Sequence, residues 1–234
     1  MEGVIMRPQA VFFVGAPGSG KDTQAGFLIE EFGFIQVPSS KLILAKFAQN
    51  PDDPVVQEEK RKFDAGELNS GPFVAEIMME FVRPIAAQGR GLIFSGSPRT
   101  VFEAEVEVPE MVKVYGADSV LVINLVIPDE VASQRIASRR LCRAHNHPIP
   151  ATPEFANITK CPKDGSELYV RDLDDPGKTG TRFSEYRKLT EPTLDIFRAN
   201  GVPIFLIDAS QSIQAIHQEV VAALERRATS APRQ

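Results

Sequence analysis

Gly15-Ala16-Pro17-Gly18-Ser19-Gly20-Lys21 is a run of small residues closed by a lysine, and it follows the apolar stretch Val11 to Val14. A loop of this kind between a strand and a helix can turn several backbone N–H groups toward one point. It adds the positive end of the helix and sets an ammonium beside it. A chain of phosphates needs that arrangement, because its oxygens carry negative charge in every direction. The spacing G-x-x-x-x-G-K therefore reads as a phosphate cradle built from Gly15, Gly18, Ser19, Gly20 and Lys21. Many such cradles place Ser or Thr directly after the lysine to hold Mg²⁺. Here Asp22 takes that place and Thr23 follows one position later.

Phosphate chemistry also needs converging cations, and the chain as a whole does not supply them. Twenty-six Lys and Arg against thirty-one Asp and Glu leave a net charge of -5. No global basic field exists to draw in nucleic acid or an anionic membrane, so the positive charge must be local. Arg99, Arg135, Arg139, Arg171 and Arg182 are the candidates to join Lys21.

A second constellation has different chemistry. Cys142-x-x-His145 and Cys161-x-x-Asp164 are two chelating pairs at the short spacing of knuckle-like metal sites. Zn²⁺ accepts thiolate, imidazole and carboxylate in a tetrahedron, and four protein ligands leave no open position, so such a site is structural. It would order a polar flap that cannot bury a core of its own. His147 competes with His145 for the third position, and a metal-free, hydrogen-bonded flap is the alternative. Two cysteines are too few for a disulfide framework and too far apart for a redox Cys-x-x-Cys.

The elements that must position these groups follow from the hydrophobic pattern. Short apolar runs at Val11 to Val14, Phe34 to Val37, Gly91 to Phe94, Val120 to Leu125 and Ile204 to Ile207 read as strands of a parallel sheet buried on both faces. Helical periodicity predicts helices over Gly20 to Glu31, Ser40 to Gln49, Val55 to Ala65, Gly71 to Ala87, Val101 to Val114, Asp129 to Leu141, Thr181 to Ala199 and Ser212 to Arg227. This is α/β, doubly wound. A chain of 234 residues, 43% apolar, can bury one such core with inserts. Two connections are too long for a simple alternation. One carries extra helices after the second strand; the other, Cys142 to Lys178, is rich in Pro, Gly, Asp and Asn and reads as a disordered segment or a functional flap. No apolar run approaches a membrane span and the first residues lack a signal-peptide pattern, so the expectation is a cytoplasmic protein with no membrane partner.

Four motifs in order, Gly15 to Gln24, Asp64-Ala65-Gly66-Glu67-Leu68, Gly96-Ser97-Pro98-Arg99-Thr100 and Arg135-Ile136-Ala137-Ser138-Arg139-Arg140, resemble adenylate kinase. The resemblance implies a P-loop kinase core with a five-stranded parallel sheet flanked by helices, formed by residues 1–38, 68–141 and 179–234. It implies a helical insert for the nucleoside monophosphate at 39–67 and a zinc-bearing LID at 142–178. The activity implied is reversible, Mg²⁺-dependent transfer of a phosphoryl group from ATP to AMP by a monomer, with no nucleic acid as partner. Lys21 would bridge the ATP phosphates and Arg135 face the adenine and phosphates of ATP. Arg99 would bind the acceptor phosphate, Arg139 and Arg171 the transferring group, and Arg182 the acceptor side. Asp22, Thr23, Ser39 and Glu103 complete the nucleotide contacts.

Several positions depart from the family pattern. Lys41 stands where an acidic residue is usual, Leu44 where a phosphate-binding arginine is usual, and Ser95 where an aspartate orders waters around Mg²⁺. Glu103 replaces a glutamine that reads adenine. An ionised glutamate only accepts hydrogen bonds, which suits guanine's N–H groups better than adenine N1; a solvated helix charge is the other reading. The alternatives to an AMP kinase are thus a kinase for another monophosphate such as GMP, or a nucleotide-binding member that has lost turnover.

Overall fold

The computed structural model describes residues 10–65, 67–144, 147–149, 155–170, 174 and 176–230. Its centre is β1 (Ala10–Gly15), buried along its whole length. Phe12 and Val14 point to one apolar cluster, Val11 and Phe13 to another. This is why the run is continuously apolar rather than alternating: both faces of the strand are covered.

Around β1 lie β2 (Ile35–Gln36), β3 (Leu92–Phe94), β4 (Val120–Val126) and β8 (Ile204–Asp208), in the order β2-β3-β1-β4-β8. All pairings are parallel, with Phe12 opposite Phe94 and Val122. The Phe12 and Phe94 rings stack at 4.1 Å, and Phe197 meets Phe12 edge-on at 4.9 Å. The chain runs from β1 to β2 and β3 on one side and then crosses to β4 on the other, so the strand order reverses at β1 and a crevice opens at its carboxyl end, where open α/β sheets bind ligands.

Helices α4 (Gly71–Ala86), α5 (Val101–Tyr115) and α8 (Thr193–Ala199) cover one face. Helices α1 (Lys21–Phe32), α6 (Asp129–Ser138) and α9 (Ile213–Ser230) cover the other. Between β2 and α4 stand α2 (Ser39–Gln49) and α3 (Pro54–Asp64). Asp53 starts α3 by accepting from the N–H groups of Val55 at 2.8 Å and Val56 at 3.3 Å, with Pro54 as the first helical residue.

Three expectations need correction. The helix predicted to reach Leu141 stops at Ser138, and Arg139 is extended. The chain there enters β5 (Arg140–Cys142), which pairs antiparallel with β6 (Pro148–Ile149) and β7 (Leu168–Tyr169). The flap is therefore not disordered in its described part. Cys142, Ile149 and Cys161 form a small core of their own, with Phe155, Ile158 and Leu168 against it. The helix predicted over Thr181 to Ala199 begins earlier, as α7 (Pro176–Glu185), and is broken by a wide π-turn at Tyr186–Thr190 before α8. Insertions of that kind mark functional sites more often than chance. The remaining bounds shift by one to three residues, α9 running to Ser230.

No described helix is long and apolar enough to cross a membrane.

Candidate active site

The loop after β1 turns on glycines that no other residue replaces cheaply. Gly18 has φ of 82°, and a Cβ there would meet the Ala132 carbonyl oxygen at 2.7 Å. Gly20 caps α1 with φ of 95° and offers no side chain, so no side-chain group occupies the amides of the first turn. They are left for an anion. Ser19 is buried within the loop. Asp22 is exposed and Thr23 half-buried on the first turn of α1.

Lys21 folds back over this loop, donating to the carbonyls of Gly15 at 2.6 Å and Ala16 at 3.0 Å. Enclosure of its ammonium end lowers its pKa to about 8. Asp22 opposes the shift, while Arg99, Arg182 and Arg139 each add to it. That last effect has a geometric meaning. Arginines carried by the β3–α5 loop, by α7 and by the end of α6 lie close enough to repel one lysine, so four cations converge on the mouth of the cradle.

Two of these arginines share an anchor that sequence reasoning missed. The Asp174 side chain is fully buried and accepts from Arg139 Nη2 at 2.6 and 2.8 Å, from Arg139 Nε at 3.1 Å and from Arg182 Nη1 at 3.2 Å. The guanidiniums keep 20% and 23% of their side-chain surface in solvent. The carboxylate braces both without withdrawing them from the crevice. The only signal in the sequence is one acidic residue among several in Arg171 to Asp175; Arg171 itself lies outside the described residues.

Arg99 is exposed, its Nε donating to the Gly96 carbonyl at 2.8 Å. A Cβ on Gly96 would lie 3.5 Å from Ser39 Oγ and 3.7 Å from Arg99 Nη2. The Ser39 hydroxyl is buried with no protein partner. A small pocket floor, a free hydroxyl and an exposed guanidinium thus stand together at the head of α2. Arg135 is used differently. It donates to the carbonyls of Ala209 at 2.7 Å and Gln211 at 3.2 Å, which fixes it against the loop between β8 and α9.

Glu103 is not a solvated helix charge. It is 3% exposed and closes the start of α5. Thr100 Oγ1 accepts from the Glu103 N–H at 3.3 Å, and the Glu103 carboxylate accepts from the Arg99 N–H at 2.9 Å and the Thr100 hydroxyl at 3.0 Å. This is a variant of the capping box, with the acidic side chain reaching one residue further back. Ser95 accepts from Gln36 Nε2 at 3.0 Å; Lys41 and Leu44 are solvent-exposed on α2.

In the flap, Cys142, His147, Cys161 and Asp164 present ligand atoms that all lie within 4.8 Å of one another. His147 Nδ1 is 3.4 Å from Cys142 Sγ, 3.5 Å from Cys161 Sγ and 3.3 Å from Asp164 Oδ2. The β5–β6 turn makes this meeting: the Cys142 N–H donates to the His147 carbonyl at 3.2 Å, and the His147 N–H to Cys142 Sγ at 3.3 Å. Among the described residues His147, the competitor of His145, completes the set, and His145 lies outside them. Two thiols, an imidazole and a carboxylate at these separations suit a tetrahedral zinc ion.

Comparison with known proteins gives a consistent picture. The family model for adenylate kinase matches residues 13–202. An adenylate kinase of Archaeoglobus fulgidus is 34% identical over 219 residues, covering 92% of this chain and 98% of its own. One from Thermodesulfovibrio yellowstonii is 31% identical over 216 residues, with the same two coverages of 92% and 98%. The adenylate kinase of Bacillus subtilis is 30% identical over 210 residues, covering 88% of this chain and 94% of its own.

Proposed function

Because the chain belongs to the adenylate kinase family, and so transfers a phosphoryl group reversibly between ATP and AMP, we propose that it does so in the crevice at the carboxyl end of β1. The observation that carries this reading is the convergence of Lys21, Arg99, Arg139 and Arg182 on one space beside the uncapped start of α1.

In this reading the amides of Gly18 to Lys21 hold the ATP phosphates and Lys21 swings from its own loop carbonyls onto them. Arg99 and the Ser39 hydroxyl take the acceptor's phosphate. An oxygen of that phosphate attacks the terminal phosphorus of ATP, the bond to the bridging oxygen breaks, and ADP leaves on each side. The moving group carries negative charge on its equatorial oxygens and needs little covalent help, so the protein contributes position and neutralisation. Arg139 and Arg182, braced by Asp174, supply the latter, with Arg171 a further member. Arg135 orients the donor base from the β8–α9 side. Thr23 and Asp22, on the first turn of α1, would hold waters of the Mg²⁺ that accompanies ATP, which would supply further neutralisation of its phosphates.

Residues 39–67 form the acceptor flap and 142–178 the LID, and their closure keeps water from stealing the phosphoryl group. Zinc held by Cys142, His147, Cys161 and Asp164, or with His145 in place of His147, would fix the LID's small sheet. The two cysteines form no disulfide, which is compatible with a reducing, cytoplasmic location, and the proposed active species is a monomer.

The test is ADP release by the purified protein with ATP, Mg²⁺ and each of AMP, GMP, CMP and UMP. Turnover with AMP that collapses in Arg99→Ala and Arg182→Ala supports the reading. ADP release without any monophosphate, or none at all, refutes it.

A further inference from the structure

Directly behind Arg99, on the inner side of α5, two carboxylates and a hydroxyl meet away from water. Ser97 is 4% exposed, Glu103 3% and Glu107 0%. The Ser97 hydroxyl lies 3.3 Å from Glu103 Oε2 and in closer contact with Glu107 Oε1. Glu103 also receives the Arg99 N–H and the Thr100 hydroxyl. Glu107 has no such company, and its Oε2 is buried with no partner.

The proton count is decisive. One hydroxyl carries one proton, so it cannot satisfy two ionised carboxylates together. Like charges one helical turn apart are already unfavourable on a surface, and a buried, unserved carboxylate is far more costly. Glu103, with two other donors, is the stable anion. Glu107 is then the acid. We propose that Glu107 is protonated at neutral pH and donates to Ser97 Oγ, which donates to Glu103, and that this relay holds the Arg99 backbone, and with it the acceptor arginine, in place. Glu107 is thus a positioning residue, acting through Ser97 and Glu103 and touching no substrate. The role in acceptor binding rests on the reading of Arg99 given above.

Burial pushes the Glu107 carboxyl well above the usual range, the Glu103 charge adds to this, and the Ser97 contact opposes it. Burial also raises the Glu103 pKa, but the Arg99 N–H, the Thr100 hydroxyl and the Arg99 charge all favour its anion, whereas among the described residues no cation opposes the rise at Glu107. Arg83 of α4 and Lys113 pair with Glu110 further along α5, and Glu80 of α4 pairs with Lys46 of α2. Glu76 and Glu105 face solvent, as does Asp118 before β4. On α8, Asp195 pairs with Arg198, and in the π-turn the half-buried phenol of Tyr186 has its pKa pushed up to about 12 by that partial burial.

Raising the pH removes the Glu107 proton, leaves two anions on one hydroxyl and loosens the first turn of α5. The experiment is the Michaelis constant for AMP and for ATP, each measured across alkaline pH, in the parent and in Glu107→Gln, whose amide N–H replaces the acid proton. Expected is an AMP constant that climbs by up to about tenfold per pH unit once the relay titrates, with the climb absent in Glu107→Gln and the ATP constant following a different curve. Glu107→Met, which fills the space with no titrating group, also removes the climb and serves if the amide variant folds poorly. An infrared difference spectrum between parent and Glu107→Gln should show a buried carboxylic-acid carbonyl band in the parent alone. An unchanged climb in Glu107→Gln, a flat parent curve, or no acid band overturns the proposal. If instead Arg99→Ala binds AMP like the parent, the reading of Arg99 falls, and the infrared band still decides whether the proton is there.

Discussion

Replacing Asp174 by Asn tests the brace on the two site arginines. The substitution keeps the shape and removes the charge. Breaking a fully buried ion pair costs about 3–5 kcal/mol when the remaining charge cannot escape. Here the remaining charges are two guanidiniums with 20% and 23% of their side chains in solvent. They can turn outward, and the amide oxygen still accepts one bond, so a loss of about 2–3 kcal/mol is the better figure. At about 2–4 °C per kcal/mol for a chain of this size, the melting midpoint should fall by roughly 4–12 °C. The informative comparison adds saturating ATP and Mg²⁺. Phosphate oxygens offer the freed arginines new acceptors, so nucleotide should raise the midpoint of Asp174→Asn more than that of the parent, while kcat falls because the arginines are no longer held in advance. Differential scanning fluorimetry with and without nucleotide, beside initial rates, makes the measurement. A variant that melts with the parent in the absence of nucleotide would refute the reasoning, since the buried carboxylate would then be contributing nothing.

Lys21→Met should lower kcat by about 10²–10³-fold, the usual cost of removing one preorganised charge from a reacting group, as read by coupled ADP release. Because burial sets the nucleotide-free Lys21 at about 8, the free enzyme loses this cation as pH rises through that value, and the ATP Michaelis constant should increase there. The sign for stability is opposite: between that value and the ordinary lysine range the unfolded chain binds the extra proton, so Lys21 contributes a stability that grows with pH, which denaturant titrations of parent and Lys21→Met can separate. Cys161→Ser, or a strong chelator, should increase hydrogen exchange in the Lys160–Glu167 turn and cut bound zinc in elemental analysis; equal exchange and no metal in the parent would leave the LID a hydrogen-bonded flap. Glu103→Gln should cost about 1–2 kcal/mol through the weakened cap yet leave AMP as acceptor; if GMP turnover appears in the parent and vanishes in the variant, Glu103 reads the base after all.

Much of this was legible in the residues. The central strands β1, β3 and β4 could be read because burial on both faces makes them almost continuously apolar, the partly exposed edge strands β2 and β8 because they keep short apolar runs, and the cradle because its glycines and Lys21 fall within seven positions. What escaped depends on contacts distant in the chain. Asp174 meets Arg139 across thirty-five positions, a pairing that no local pattern encodes. Strands of two or three residues, as in the small antiparallel sheet of β5, β6 and β7, are too short to show a period. The chelating spacing left His145 and His147 both open for one position; the β5–β6 turn brings His147 into contact with Cys142, and His145 lies outside the described residues. Glu107 carried a signal that went unread: a second glutamate four positions after Glu103, on the same stripe as Ala104, Val108 and Met111, places two acids where an amphipathic helix should be apolar.

The π-turn at Tyr186–Thr190 does more than interrupt a helix. Its Thr190 hydroxyl donates to the Arg99 carbonyl at 3.0 Å, while α7 on its near side carries Arg182. A single rod thereby hydrogen-bonds to the Arg99 backbone and bears Arg182, with the widened turn between the two points. On the roles proposed above for Arg99 and Arg182, that turn is a ruler between the acceptor arginine and a cation of the moving phosphoryl group, and sliding the rod by a residue would mis-set the two.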